Sequence, residues 1–432
     1  MRINQYRWVI LGCAVLAYST SYLTRWSYTG LASFISQDLN LDKADLGVLG
    51  SAFFYTYALA QVPWGTWADR RGGRGVIALG VVLMAVSLAG FTLAHSLGEA
   101  VVWRLFIGAV AAGVFVPIAS LLGHWFSPNE RGVANGIYYG WGGGLGQVSA
   151  FLILPVLHVY FFNEPAIPVF GWRGAMLFVA LVIGILGLGC WVFLRSFPLE
   201  SGYGRASKPA SLSEGVPARS SLFQDPVLWY LGGYFAASLI ALRLVPGWLT
   251  IYASELYEVE WGFLRVEAVI AGGVIGTVYT VGHVFGSPIL GKISDYLIGR
   301  GVGRLASAAV MLGLGSISVM GLTLSLPSPW LLGGVALVMG VTLHAFPIVN
   351  AAVSDLWGER RTGQSLGWIN MVGQLAGAVA LSISGYLGEV WGSGSATPAM
   401  GYAGIWYFAA SACLIGTACG WQAHRLSRSK MK

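Results

Sequence analysis

Twelve long apolar runs dominate the sequence, near residues 8–34, 44–67, 74–95, 99–124, 132–160, 172–195, 224–253, 266–291, 304–325, 329–355, 363–387 and 400–423. A helix of such a length crosses the roughly 30 Å hydrocarbon core of a bilayer. Charged residues make up 10% of the chain and apolar residues 56%, whereas soluble domains carry about 25% charge. Inside hydrocarbon every backbone N–H and C=O needs a partner within the chain, and a helix supplies that partner locally. The expected fold is all-α: a polytopic membrane protein whose partner is the lipid bilayer.

The net charge of +7 is topological. With twelve spans, most of the 25 basic residues fall on one side, among them Arg2, Arg7, Arg70, Arg71, Arg74, Arg195, Arg300, Arg304, Arg360, Arg361 and Arg425. Lys43, Arg173 and Arg265 fall on the other. The positive-inside rule then places both termini in the cytoplasm of a plasma (inner) membrane protein. Nucleic acid is not an expected partner. The four cysteines all lie in apolar segments without metal-ligand spacing, so no metal or cofactor is expected. No cluster of nucleophile and base is visible, and an enzyme is not expected.

Between residues 196 and 223 the rhythm breaks into Pro, Gly, Ser and scattered charges. This stretch reads as a cytoplasmic linker. It separates a first bundle of six helices, 1–195, from a second, 224–432. The two halves repeat each other. Gly65-Thr-Trp-Ala-Asp69, followed by Arg70 and Arg74, matches Gly291-Lys-Ile-Ser-Asp295, followed by Arg300 and Arg304. Phe115-Val-Pro117 matches Phe346-Pro347, and Trp125 with Glu130-Arg131 matches Trp357 with Glu359-Arg360. Landmarks in one order at nearly constant offset indicate an internal duplication, a known transporter design.

These motifs resemble the major facilitator superfamily. Gly65-x-x-x-Asp69-Arg70-x-Gly72-x-Arg74 is similar to its loop motif, and Trp103-Arg104-x-x-x-Gly108 to its fourth-helix motif. The resemblance implies twelve transmembrane helices in two six-helix bundles. It also implies a gating role for Gly65, Asp69, Arg70, Arg74 and Asp295, in which aspartate and arginines latch one end of the bundles. Arg104, about one turn from the outer end of its span, is expected to snorkel there and to belong with the gating residues.

Two arginines lie well inside spans. Arg25 sits in the first and Arg243 in the seventh, each early in its own half. A charge at the centre of a spanning helix costs about 2.5–3.5 kcal/mol on insertion scales and usually marks a substrate or ion path. Neighbours of Arg25 at helical spacing are Tyr18, Ser21, Tyr22, Tyr28 and Thr29, a phenolic stripe suited to a wet cavity wall. Tyr57 and Gln61 share one face of the second span. None of the 18 acidic residues falls in the middle of a span. Guanidinium forks donate paired hydrogen bonds to oxyanions. The pair therefore predicts a small anionic substrate bound at one site shared by both halves.

Here a closer resemblance enters. Tyr22-Leu-Thr-Arg25-Trp-Ser-Tyr28 is similar to the first span of the organophosphate:phosphate antiporters, the glycerol-3-phosphate transporter group, and Leu242-Arg243-Leu-Val-Pro-Gly-Trp248 to their seventh. That family implies phosphate binding by the two arginines, with Tyr18, Tyr22 and Tyr57 lining the cavity. A cavity lysine of the family falls at Gln61 and a histidine near Gly142, so two basic groups are missing. The region from Trp125 to Gly136, with Arg104, also resembles the anion:cation symporters.

Secondary active transport by alternating access follows. Exchange of one anion for another needs no titrating group and is preferred. Proton- or cation-coupled symport is the alternative, with His283 as a coupling residue one turn after Tyr279. Asn370 and Gln374, four apart in the eleventh span, either hydrogen-bond substrate or join helices. A ligand sensor that binds without transporting is the alternative of another class. The protein is expected to be a monomer.

Overall fold

The structure is a computed structural model that describes residues 3–162, 171–197, 223–300, 302–324, 326 and 328–431. Most of the expected linker lies outside the described residues. Within the described residues all regular structure is helical. Contacts divide the chain into two compact units, residues 1–211 and 212–432.

The first unit contains α1 (Ile3–Gly30), α2 (Ala32–Leu39), α3 (Lys43–Arg71), α4 (Gly73–Phe91) and α5 (Leu97–Trp125). Its fifth span is composite. The short helices α6 (Pro128–Ile137), α7 (Gly143–Val148) and α8 (Leu154–Leu157) alternate with π-helical turns at Tyr138–Gly142, Ser149–Ile153 and His158–Phe162. Helix α9 (Gly171–Phe193) completes the unit. The second unit contains α10 (Pro226–Val259), α11 (Arg265–Ile298), α12 (Arg304–Met320), α13 (Pro329–Thr342), α14 (Phe346–Gly392) and α15 (Pro398–Met431).

Local chemistry sets several boundaries. Asp42 and Asp45 form a reciprocal capping box at the start of α3, which satisfies amides that the helix itself leaves open. Asn40, left-handed with φ 52°, ends α2. Ser96, Asp225 and Ser328 cap α5, α10 and α13 through their side chains.

Two boundaries differ from the sequence reading. The first span stops at Gly30 and restarts as α2, instead of running to residue 34. The expected loop between the tenth and eleventh spans, residues 356–362, is helical, and α14 runs through it. The break falls earlier, at Leu343–Ala345, inside the expected tenth span. Pro347 in the first turn of α14 explains that placement: it has no N–H to donate and cannot continue the preceding helix.

Nine helices among the described residues are long and apolar enough to cross a membrane. Helices α1 and α3 are long but more polar. In α9 large side chains such as Leu181, Ile185, Leu188 and Phe193 stay exposed; an apolar face of this extent needs lipid to cover it.

Packing within each unit departs from chain order. In the first unit α3 lies on α5, α5 on α4 and α4 on α9, while α1 packs on α7 and the flanking π turns. In the second, α10 is the central helix, touching α15, α14 and α11. Helix α11 also meets α13, and α12 meets α15.

The α1–α7 contact depends on Gly146. A Cβ there would stand 2.1 Å from the Ser19 carbonyl oxygen and 2.6 Å from the Tyr22 Cβ, so neither helix has room to yield. Overpacking of this kind costs about 1–3 kcal/mol. Gly146→Ala is expected to lower the melting temperature of the purified protein. Gly123→Ala on α5, where a Cβ meets nothing within 4 Å, is expected to leave it unchanged or slightly higher. Equal melts for the two variants would contradict the close approach.

Candidate functional site

Arg25 is 2% exposed. Its guanidinium carbon lies 4.4 Å from the Tyr22 ring centroid and 4.9 Å from that of Tyr57, with Phe53 and Phe54 at 5.3 and 5.6 Å. Cation–π contact with several ring faces stabilises a desolvated guanidinium. It leaves the in-plane N–H groups available: Nε and Nη2 have no hydrogen-bond partner among the described residues. A planar fork with open donors suits an oxyanion.

The tyrosines expected around Arg25 do come together. Tyr18 and Tyr22 are 5.2 Å apart, and Tyr18 also meets Tyr138 at 5.3 Å and Tyr139 at 5.8 Å. Tyr57 stacks on Phe53. Tyr138 and Tyr139 were not anticipated. They stand on a π turn, where the spacing rules of an α-helix do not apply, although the Tyr-Tyr-Gly string itself was visible. Gln61 lies one turn beyond Tyr57, half-buried, with its amide nitrogen unpaired among the described residues.

Arg104 corrects an expectation. It does not snorkel; it is 1% exposed. Its Nε donates to the Leu49 carbonyl at 3.0 Å, Nη1 to the Thr24 carbonyl at 3.0 Å and Nη2 to the Arg25 carbonyl at 3.1 Å. The Tyr28 ring lies 4.5 Å from the same guanidinium. Arg104 thus ties α1 to α3 at the residue that carries the open fork.

In the second unit Arg243 is 6% exposed and donates from Nη2 to Gln374 Oε1 at 2.7 Å. Gln374 therefore acts on the arginine as well as joining α14 to α10. The approach is close because Gly377 faces Arg243: a Cβ there would be 2.9 Å from its Cγ. Asn370 lies one turn earlier on α14, half-buried. His283, 4% exposed, stacks on His344 with centroids 3.6 Å apart and planes at 16°. Tyr279 lies 5.6 Å from His344. His344, which the sequence analysis does not single out, thus stands with His283 and Tyr279.

The loop motif resolves in part. The side chains of Asp69 and Asp295 lie outside the described residues. Gly65 brings α3 against Val116 of α5, with a Cβ contact of 3.1 Å. Arg70 is exposed. Arg74 donates from Nε to the Trp191 carbonyl at 2.9 Å, and in the second unit Arg304 pairs with Asp355 at 2.9 Å. Arg7 donates to both oxygens of Glu130 at 3.1 Å. The Ser127 hydroxyl, then the Arg7 charge, hold that carboxyl below the usual carboxylate range.

The sequence profile of the Major Facilitator Superfamily matches residues 14–381. A probable hexose phosphate transport protein of Chlamydia trachomatis is 24% identical over 405 residues, covering 87% of this chain and 84% of that one. The nitrate/nitrite transporter NrtP of a Picosynechococcus is 29% identical over 217 residues, covering 46% of this chain and 40% of that one. Among solved structures, a bacterial homolog to the human lysosomal transporter Spinster, inward-facing and unoccupied, superposes with a TM-score of 0.79 at 20% identity over 98% of both chains.

Hydrogen bonds from a charged donor are worth about 1.5–3 kcal/mol each. Arg104→Leu removes those of Arg104 while keeping apolar bulk. It is expected to lower the melting temperature clearly, with Arg104→Lys recovering part of the loss. A melt unchanged by the Leu substitution would show that the carbonyl contacts do not hold α1.

Proposed function

Because the chain belongs to the major facilitator superfamily and is a transporter, not an enzyme, we propose that its cargo is a small organic or inorganic anion. It moves by secondary active transport with alternating access. The observation that carries this reading is Arg25: a buried guanidinium caged by aromatic faces, with open donors. Arg243 is the counterpart in the second half of the repeat. We assign anion binding to both, with Tyr18, Tyr22, Tyr57 and Gln61 around the first, and Asn370 and Gln374 beside the second. The names of the relatives agree in charge type, since hexose phosphate, nitrate and nitrite are all anions.

Exchange is the basal mode in this reading. A returning anion replaces the departing one on the same guanidinium groups, and no acidic residue in mid-span is required. Gly65, Asp69, Arg70, Arg74 and Asp295 are assigned to a cytoplasmic latch, and Arg104 to holding α1. The distribution of basic residues supports a cytoplasmic side for both termini.

Counterflow in proteoliposomes tests the proposal, with inorganic phosphate, nitrate and glucose 6-phosphate as probes. Truncating one partner of a buried, hydrogen-bonded charge pair costs about 2–5 kcal/mol. Arg25→Ala and Arg243→Ala should therefore each reduce exchange at least tenfold, to about a hundredfold or more, with monodisperse protein retained. Arg→Lys at either site should also be poor, since the planar fork is lost. Full exchange by both alanine variants would sink the assignment. Binding of a probe without flux would favour a sensor.

A further inference from the structure

The second unit holds a cavity that the proposed transport does not use. It lies where α11 ends and α12 begins, beside α14 and α15, and has a volume of about 330 Å³. Sites for small ligands run from about 300 to 1,000 Å³. Ile298, Leu305 and Leu356 are among its apolar walls, and His424 and Arg428 of α15 stand at its polar end.

The start of α12 forms part of that end. Gly303 is the N-cap and makes no side-chain hydrogen bond to the first turn. The helix takes up its amides from Ala306 and Ser307 onward, which donate to the Gly303 carbonyl at 3.0 and 3.2 Å. The amides ahead of them have no partner within the helix and carry the positive end of its dipole. Glycine is required here because His424 lies against it. A Cβ on Gly303 would stand 2.7 Å from the ring Cε1 and 2.9 Å from Nδ1.

His424 is the second observation. It is 9% exposed, and its ring meets Trp421 at 5.9 Å. The hydrogen bond it receives from the Ser427 hydroxyl, at 2.8 Å, goes to its carbonyl. The ring itself makes no hydrogen bond to a described residue. A buried polar ring without a partner costs stability, and a ligand in the cavity would supply one. Arg304 also lines the cavity but is paired with Asp355 at 2.9 Å, so those two charges cancel. Arg428, one turn after His424, adds a positive charge. The polar end thus offers a helix N-terminus, an imidazole and a guanidinium, which together suit a phosphate.

The apolar walls narrow the choice of ligand. A soluble phosphate would match the polar end and leave Leu305 and Leu356 facing water. An amphiphile fills both ends. Ile298 and Val302, at the cavity, are exposed apolar residues, and so is Trp421, one turn before His424. Tryptophans gather at the level of lipid headgroups.

We propose that this cavity binds the headgroup of an anionic phospholipid, with its phosphate among His424, Arg428 and the first amides of α12 and its apolar part along Ile298, Leu305 and Leu356. The proposal does not depend on what Arg25 and Arg243 bind. A lipid held there ties α12 to α15 beside the Arg304–Asp355 pair, and so links membrane composition to that end of the second unit.

Native mass spectrometry of the full-length protein in detergent tests it, with dioleoyl phosphatidylglycerol, dioleoyl phosphatidylcholine and inorganic phosphate as probes. Wild type should hold one phosphatidylglycerol as a saturable adduct and bind phosphatidylcholine clearly more weakly. Arg428→Gln should weaken the phosphatidylglycerol adduct about tenfold, the worth of one charge-assisted hydrogen bond, and His424→Leu should weaken it as well. Arg425→Gln removes the same charge from the same helix at a position that does not line the cavity, and should leave the adduct unchanged. Arg425 and Arg428 are both exposed, so neither change removes packing from the interior. Equal losses in these two variants would reduce the adduct to general surface charge and overturn the site. Equal binding of the two lipids would overturn it too. So would displacement of phosphatidylglycerol by inorganic phosphate at a comparable concentration, since the apolar walls would then contribute nothing.

Discussion

A guanidinium inside a membrane bundle must be given partners, and this chain solves that problem in three ways. Arg104 is given three backbone carbonyls and a phenol face. Arg243 is given an amide oxygen from the neighbouring helix. Arg25 is given ring faces. The three differ in what remains. Carbonyls occupy the in-plane donors, so Arg104 is structural. Ring faces take no N–H hydrogen bond of the carbonyl kind, and Nε and Nη2 of Arg25 have no hydrogen-bond partner among the described residues. The distinction between Arg104 and Arg25, the arginine proposed to bind the anion, is thus one of hydrogen bonding, not of burial, since Arg25 and Arg104 are 2% and 1% exposed.

Arg104 also positions Arg25. Arg104 holds the carbonyl of Arg25 itself, and that of Thr24, against α3. Helix α1 is also held by the glycines of the fifth span. A Cβ at Gly142 would be 2.9 Å from the Val15 carbonyl oxygen and 3.1 Å from the Tyr18 Cβ. The resembling transporters carry a histidine near Gly142, and this contact gives a physical reason for its absence. No side chain fits there unless α1 moves away. The aromatic cage and the lost basic residue are two aspects of one close helix contact.

Much of this was legible in the sequence, for identifiable reasons. Arg25 and Arg243 stood out because charge in an apolar run has few innocent explanations. Tyr18 and Tyr22 followed from helical spacing, which holds in α1, and Tyr57 from the resemblance to the organophosphate:phosphate antiporters. Spacing failed where the backbone leaves the α-helix. Tyr138 and Tyr139 sit on a π turn, and His344 sits in a break between helices. Arg104 was misplaced for a different reason. Its position along the span was read correctly, but whether a long side chain snorkels or turns inward depends on which carbonyls neighbouring helices present. Register along one helix does not reveal that.

The duplication explains a remaining contrast. The landmarks that repeat between the halves are glycines, prolines and charges at helix ends, and these govern how helices turn, cross and stop. The residues around the two arginines do not repeat. Phenols surround Arg25, whereas the Gln374 amide contacts Arg243. Backbone constraints tolerate little change after a duplication, because a Cβ in the wrong place has nowhere to go. Side chains are less confined, so the two halves can surround their arginines with different groups. A repeat in sequence therefore argues for a repeated scaffold, and the chemistry of each half has to be read from its own residues.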